Sequence, residues 1–135
     1  MIGSNTRDYK PDSGENLYRR SMYTFWKRAA PPGSMDIFNA PTRETCTVRR
    51  ERTNTPLQAL VTMNDPQFVE ASRNLAERAM RNPDIDSRLD FITTRVLARP
   101  FQTRERQILK GALKDFLSYY DSHPDQAGKL VAVGE

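Results

Sequence analysis

Apolar positions recur with helical spacing only beyond about the middle of the chain. Leu57, Leu60 and Val61 share one face directly after Thr55-Pro56. In that pair Thr55 can cap a helix and Pro56 suits its first position. Asp65-Pro66 repeats the signal, and Phe68, Ala71, Leu75 and Ala79 then recur at i, i+3, i+7 and i+11. Asn82-Pro83 ends that segment. Asp84 can cap a third, in which Ile85, Leu89, Ile92 and Val96 keep one face until Arg99-Pro100. A fourth begins with Thr103 as cap, carries Ile108, Leu109, Ala112, Leu113, Phe116, Leu117 and Tyr120, and stops at His123-Pro124. Stripes of this kind face a core, and truncating a buried Phe68 would cost about 3–5 kcal/mol. Gly111 costs about 1 kcal/mol against alanine inside a helix, which predicts a close neighbour there. The short connections make successive helices neighbours.

The first half has no such period. Residues 1–18 are poor in apolar side chains and contain Gly3, Pro11 and Gly14, the composition of a flexible leader. Ser21 to Lys27 is short and aromatic-rich, reading as a strand with one turn of helix as its competitor. Thr45 to Arg52 reads as a second strand. The two would pair as a ribbon, which must pack on helices to persist in water. The expected fold is mainly α: a small bundle of three to four helices with a short two-stranded β ribbon near the N-terminus. The leader is 1–18, a single helical domain spans 19–122, and 123–135 form a C-terminal tail.

Composition narrows this picture. Leu, Ile, Val and Phe make up 27 of 135 residues, a proportion at the border of foldable chains, so a large core is not expected. No apolar run approaches the roughly 18 residues of a membrane span, and no apolar leader follows Met1. One cysteine, Cys46, and one histidine, His123, exclude an internal disulfide and multi-Cys or multi-His metal sites. The net charge is +4, yet residues 19–52 alone carry +5, and Arg outnumbers Lys 16 to 5. Arginine offers a planar donor fork that stacks on aromatic faces, which favours specific ion pairs or anion contacts.

Two longer motifs stand out: Arg19-Arg20-Ser21-Met22-Tyr23-Thr24-Phe25-Trp26-Lys27-Arg28 with Phe38-Asn39-Ala40-Pro41, and Cys46 to Leu60 with Asn64-Asp65-Pro66. Over about residues 17 to 120 they resemble a domain of unknown function of planctomycetes and related bacteria. The resemblance implies a place at the C-terminal end of large exported or periplasmic proteins. Those often carry a planctomycete-type cytochrome c domain and a second uncharacterised domain upstream. It implies no activity. No Cys-x-x-Cys-His occurs here, so any haem c belongs to another domain of such a parent. Family members continue beyond the equivalent of Lys129-Leu130-Val131 into a further apolar helix, so the chain reads as a fragment.

The candidate chemistry lies in the basic segment. If the ribbon pairs, Arg19, Arg20, Arg49, Arg50 and Arg52 converge beside Tyr23 and Trp26. Such a surface suits sulfates, phosphates or carboxylates, which guanidinium groups bind with bidentate charge-assisted bonds. The structural alternative is that these arginines brace the fold. Gln58 and Asn64 sit at the ends of the first helix as amides that either bind a ligand or tie down the loop. Cys46, among Arg43, Arg49 and Arg50, is either a reactive thiol or a small hydrophobe. His123 reads as a helix-end residue, and Asp84, Asp86 and Asp90 as acids favoured at a helix N-terminus. Their spacing is not that of a calcium loop, and phosphate-loop and nucleophile-elbow motifs are absent. These residues point to a non-catalytic binding module for the parent's other domains or an anionic polysaccharide. One alternative is part of an active site completed elsewhere, with Arg49, Arg50, Gln58 and Asn64 lining a cleft. The other is nucleic-acid binding, for which +4 and the lack of a reading motif count against.

Overall fold

A computed structural model describes residues 12–27 and 30–134. Residues 1–11 of the expected leader, and Arg28, lie outside that range. Two compact units divide at Met63/Asn64. Among the described residues there are six α-helices and no sheet.

The first unit is irregular. Short 3-10 turns occupy Gly14–Tyr18 and Ser21–Tyr23, and α1 spans Gly33–Ile37. The Pro32 carbonyl starts α1 by accepting from the Met35 and Asp36 amides at 3.0 and 3.1 Å. Asn39 ends it in the left-handed region at φ 55°, a conformation asparagine tolerates better than most residues. α2 spans Pro56–Asn64.

The expected β ribbon is not present. Only an isolated bridge, Lys27 to Ala30, occurs there, and Ser21–Tyr23 adopts the competing helical turn. The reason lies in what the carbonyls accept. Those of Ser21 and Thr24 take the guanidinium of Arg43, and those of Phe38 and Asn39 take that of Arg50. Arg43 thereby occupies acceptors of the first expected strand that a ladder would use, Arg50 of the second is turned to the end of α1, and the stretch around Val48 runs fully exposed.

In the second unit α3 covers Pro66–Ala79, α4 Ile85–Val96, α5 Thr103–Ser122 and α6 Pro124–Val131. α3 packs on α4 and α5 on α6. Asp65 and Asp84 cap as the sequence predicts, accepting from the amides of Gln67 and Ser87. α5 is capped one residue earlier than expected. Gln102, not Thr103, is its N-cap, and the Glu105 carboxylate reaches back to the Gln102 amide at 2.8 Å, as in a capping box. α6 is a helix the sequence reading missed. Pro124 stops α5 and also opens α6.

Burial is sparse. Ala79, Leu89 and Thr93 are buried in this unit, and the Thr93 hydroxyl donates to the Arg99 carbonyl. Phe68, expected in the core, is 36% exposed, and Ile108, Phe116 and Leu117 on α5 are more so. The stripes exist, but no described element covers them fully. Nothing described approaches Gly111 either, so the expected close neighbour is absent.

Charges do part of the work that packing leaves. Arg106 bridges Asp86 and Asp90, and Lys110 bridges Asp86, joining α5 to α4. These bonds, Lys110 first, lower the Asp86 pKa. At the N-terminus of α5, Arg99 grips both oxygens of Glu105 at 2.8 Å. The Arg99 guanidinium and then the Gln102 amide pull the Glu105 carboxyl from 4.5 to about 2.

A carboxyl whose pKa is depressed by folding stabilises above its unfolded pKa and loses that effect as pH falls through the folded value. The Tm advantage of wild type over Glu105→Gln is therefore expected to be full above pH 4.5 and to vanish towards about pH 2. Thermal melts across that range check it, and a constant difference would contradict the cap.

Candidate functional site

The first unit holds the basic segment, and its arginines divide into two kinds. Arg19 and Arg20 precede the Ser21–Tyr23 turn, which the Arg20 carbonyl closes by accepting from the Tyr23 amide at 2.9 Å. Both side chains are exposed, and with Tyr23 they line an open notch of about 250 Å³. Neither guanidinium is paired with a described residue, and the same holds for exposed Arg49 and Arg52.

Arg43 and Arg50 behave differently. Arg43 sends one nitrogen to the Ser21 carbonyl at 3.2 Å and another to the Thr24 carbonyl at 3.4 Å. Its guanidinium carbon lies 5.1 Å from the centre of a Trp26 ring, within cation–π range. Its backbone sits at φ 65°, in the left-handed region that residues with a Cβ rarely adopt, and the surrounding bonds must hold it there. Trp26, Thr42, Arg43 and Glu44 line a second open cleft of about 450 Å³. Sequence reasoning included Trp26 but missed Thr42, Arg43 and Glu44. The clue available was a lone arginine in a Pro-Thr-Arg-Glu loop following an aromatic-basic run. Arg50 is a brace: its Nε donates to the Asn39 carbonyl at 3.0 Å and an Nη to that of Phe38.

Gln58 is buried and fully engaged. Its Nε2 donates to the Ile37 carbonyl at 2.9 Å and to Thr53 Oγ1 at 2.7 Å, while Oε1 accepts from the Thr55 amide at 3.2 Å. Thr55 Oγ1 in turn accepts from the Gln58 amide at 3.3 Å. Thr55-Pro56-Leu57-Gln58 is thus a capping box, a pattern readable in the sequence. The amide belongs to the scaffold rather than to a ligand. Asn64 is exposed at the end of α2 and falls in the second unit.

Every candidate residue therefore has a place. Arg19, Arg20 and Tyr23 share one notch, Trp26 borders another, and Arg50 and Gln58 are structural. The envisaged convergence of Arg49, Arg50 and Arg52 required the absent ribbon.

The family follows from a sequence comparison whose match runs over residues 2–113. The chain belongs to the PSD1 family, described as proteins of unknown function (DUF1553). The PSD1 match contains all nine candidate residues and reaches into α5. No curated protein and no solved structure matches the chain.

Remaining candidates contribute less. Cys46 is exposed. His123 stacks on Tyr119 at 4.3 Å between ring centres and joins α5 to α6. Among the described residues no three His, Cys, Asp or Glu side chains are grouped to hold a metal ion, and no helix is long and apolar enough to cross a membrane.

Removing the Gln58 amide leaves the Ile37 carbonyl and the Thr55 amide without their partner. Gln58→Ala is expected to destabilise by about 1–3 kcal/mol in urea melts, and a neutral result would contradict its role as a latch.

Proposed function

We propose that this chain is a non-catalytic binding module that holds an anionic polymer on the arginines of its first unit. The observation that carries this reading is the notch of Arg19, Arg20 and Tyr23, whose two guanidinium groups are left unpaired by described carboxylates. An unpaired guanidinium keeps its donor fork available for sulfate, carboxylate or phosphate. Arg49 and Arg52, also unpaired, extend the positive field along the exposed segment. The rival reading of an active-site fragment has less support: among the described residues, neither of these two clefts is lined by Arg49, Arg50, Gln58 or Asn64.

The resemblance to planctomycete proteins supports a parent that is exported and built of several domains, with any haem c carried elsewhere. In that setting an anionic polysaccharide is a more available partner than nucleic acid, and the parent's other domains are the competing partner.

The test is a salt-series titration of the full chain with dextran sulfate and duplex DNA in parallel. Binding through charge falls linearly on a log–log plot against salt. We expect binding to dextran sulfate, with the slope shallower by about 2 in an Arg19→Ala, Arg20→Ala double variant, one step per lost cation. An unchanged slope in the folded variant, or no binding by wild type, would overturn the reading.

A further inference from the structure

The notch of Arg19, Arg20 and Tyr23 stands on a turn that is weakly held from within. Arg19 and Arg20 are extended, at ψ 148° and 145°, and run directly into the three-residue turn Ser21–Tyr23. That turn has no buried residue and no side-chain cap. Its backbone bonds run from the Tyr23 amide to the Arg20 carbonyl at 2.9 Å and from the Thr24 amide to the Ser21 carbonyl at 3.2 Å. So short a helical turn fixes several dihedral angles for few bonds and is marginal in water. Met22 and Tyr23 are 63% and 62% exposed, so packing does not make up the difference.

Arg43 supplies the missing support from 19 and 22 positions away. Its guanidinium donates to the Thr24 carbonyl at 3.4 Å and to the Ser21 carbonyl at 3.2 Å. These acceptors belong to the residues that directly follow Tyr23 and Arg20, so one fork pins both ends of the segment that presents the notch. The guanidinium carbon lies 5.1 Å from a Trp26 ring centre, a further anchor just beyond the turn. Arg43 itself does not line the notch. Its backbone, at φ 65°, is of the kind that persists only where the surroundings over-determine it, and such outliers gather where geometry serves function.

We infer that Arg43 is the positioning residue of the anion notch: it touches no ligand, and it sets the turn that aims Arg20 and Tyr23 before any ligand arrives. This inference rests on the reading of the notch as an anion site. Preorganisation raises affinity by removing ordering that would otherwise oppose binding. A planar fork that reaches two carbonyls while lying over an indole has no lysine equivalent, since an ammonium is a compact point donor. Arg50 provides the contrast. Its bonds go to the carbonyls of Phe38 and Asn39, which adjoin no notch residue in the chain, so its loss is expected to lower stability and leave binding unchanged.

The experiment titrates the full chain with dextran sulfate across a salt series. It follows affinity, salt slope and acrylamide quenching of Trp26, the single tryptophan. The variants are Arg43→Lys, Arg43→Gln and Arg50→Lys, each measured at a temperature where circular dichroism shows it folded. Arg43→Lys keeps the charge and is expected to weaken binding about five-fold, the equivalent of one long side chain left to be ordered. Arg50→Lys is expected to bind as wild type. Arg43→Gln is expected to weaken binding with the wild-type salt slope, since a cation that makes no contact releases no counterion. Saturation of wild type is expected to leave Trp26 quenching unchanged. Wild-type affinity in Arg43→Lys would overturn the positioning role and leave the notch standing. Equal weakening by Arg50→Lys would overturn it too, as the mark of a general loss of structure. A slope shallower by about 1 in Arg43→Gln, or a change in Trp26 quenching on binding, would make Arg43 a ligand contact and overturn the inference. No binding by wild type would overturn the notch itself, and this inference with it.

Discussion

Guanidinium groups bonded to backbone carbonyls are the interaction on which the rest of this structure depends. Arg50 takes the carbonyls at the end of α1, Arg43 those around the Ser21–Tyr23 turn, Arg88 those of Asn82 and Pro83, and Arg73 those of Val131 and Val133 at the end of α6. Helix ends and loops leave carbonyls without internal partners. A chain with few aliphatic side chains cannot bury those ends under a large core. One fork satisfies two acceptors and ties together segments up to 60 residues apart in sequence. Lysine, a point donor on a flexible stem, does this less well. The excess of arginine over lysine thus has a structural use before any functional one.

That use sorts the basic segment into two populations. Arg43 and Arg50 hold loops in shape, and the arginines left over, Arg19, Arg20, Arg49 and Arg52, face solvent. The proposed function concerns the second population only. The first sets its geometry, since Arg43 fixes the turn that presents Arg20 and Tyr23. A composition count cannot separate the two, because every arginine adds the same single charge to the local total of +5 whatever it holds.

The legibility of the sequence follows the same division. α3, α4 and α5 were readable because their signals are local: Asp65-Pro66, Asp84 and the 3.6-residue apolar spacing. α6 was lost because Pro124 was read only as a stop, although a proline that ends one helix can open the next. The first unit was read poorly because its bonds span 11 to 22 positions with no period behind them. Trp26, Arg19 and Arg20 were identifiable as chemistry-bearing residues from type and clustering. That Arg50 and Gln58 are braces, and that Arg43 lies over Trp26, depends on loop geometry that spacing does not encode. The capping box at Thr55 and Gln58 is the exception, a local pattern that assigns Gln58 to the scaffold.

The central claim is that neighbouring arginines differ by what they hold, and Arg49 and Arg50 test it side by side. Urea unfolding of Arg50→Lys and Arg49→Lys in the full chain compares a brace with a surface cation at the same charge. The account predicts a loss of about 1–3 kcal/mol for Arg50→Lys and a change within about 0.5 kcal/mol for Arg49→Lys. Equal effects at the two positions would contradict it.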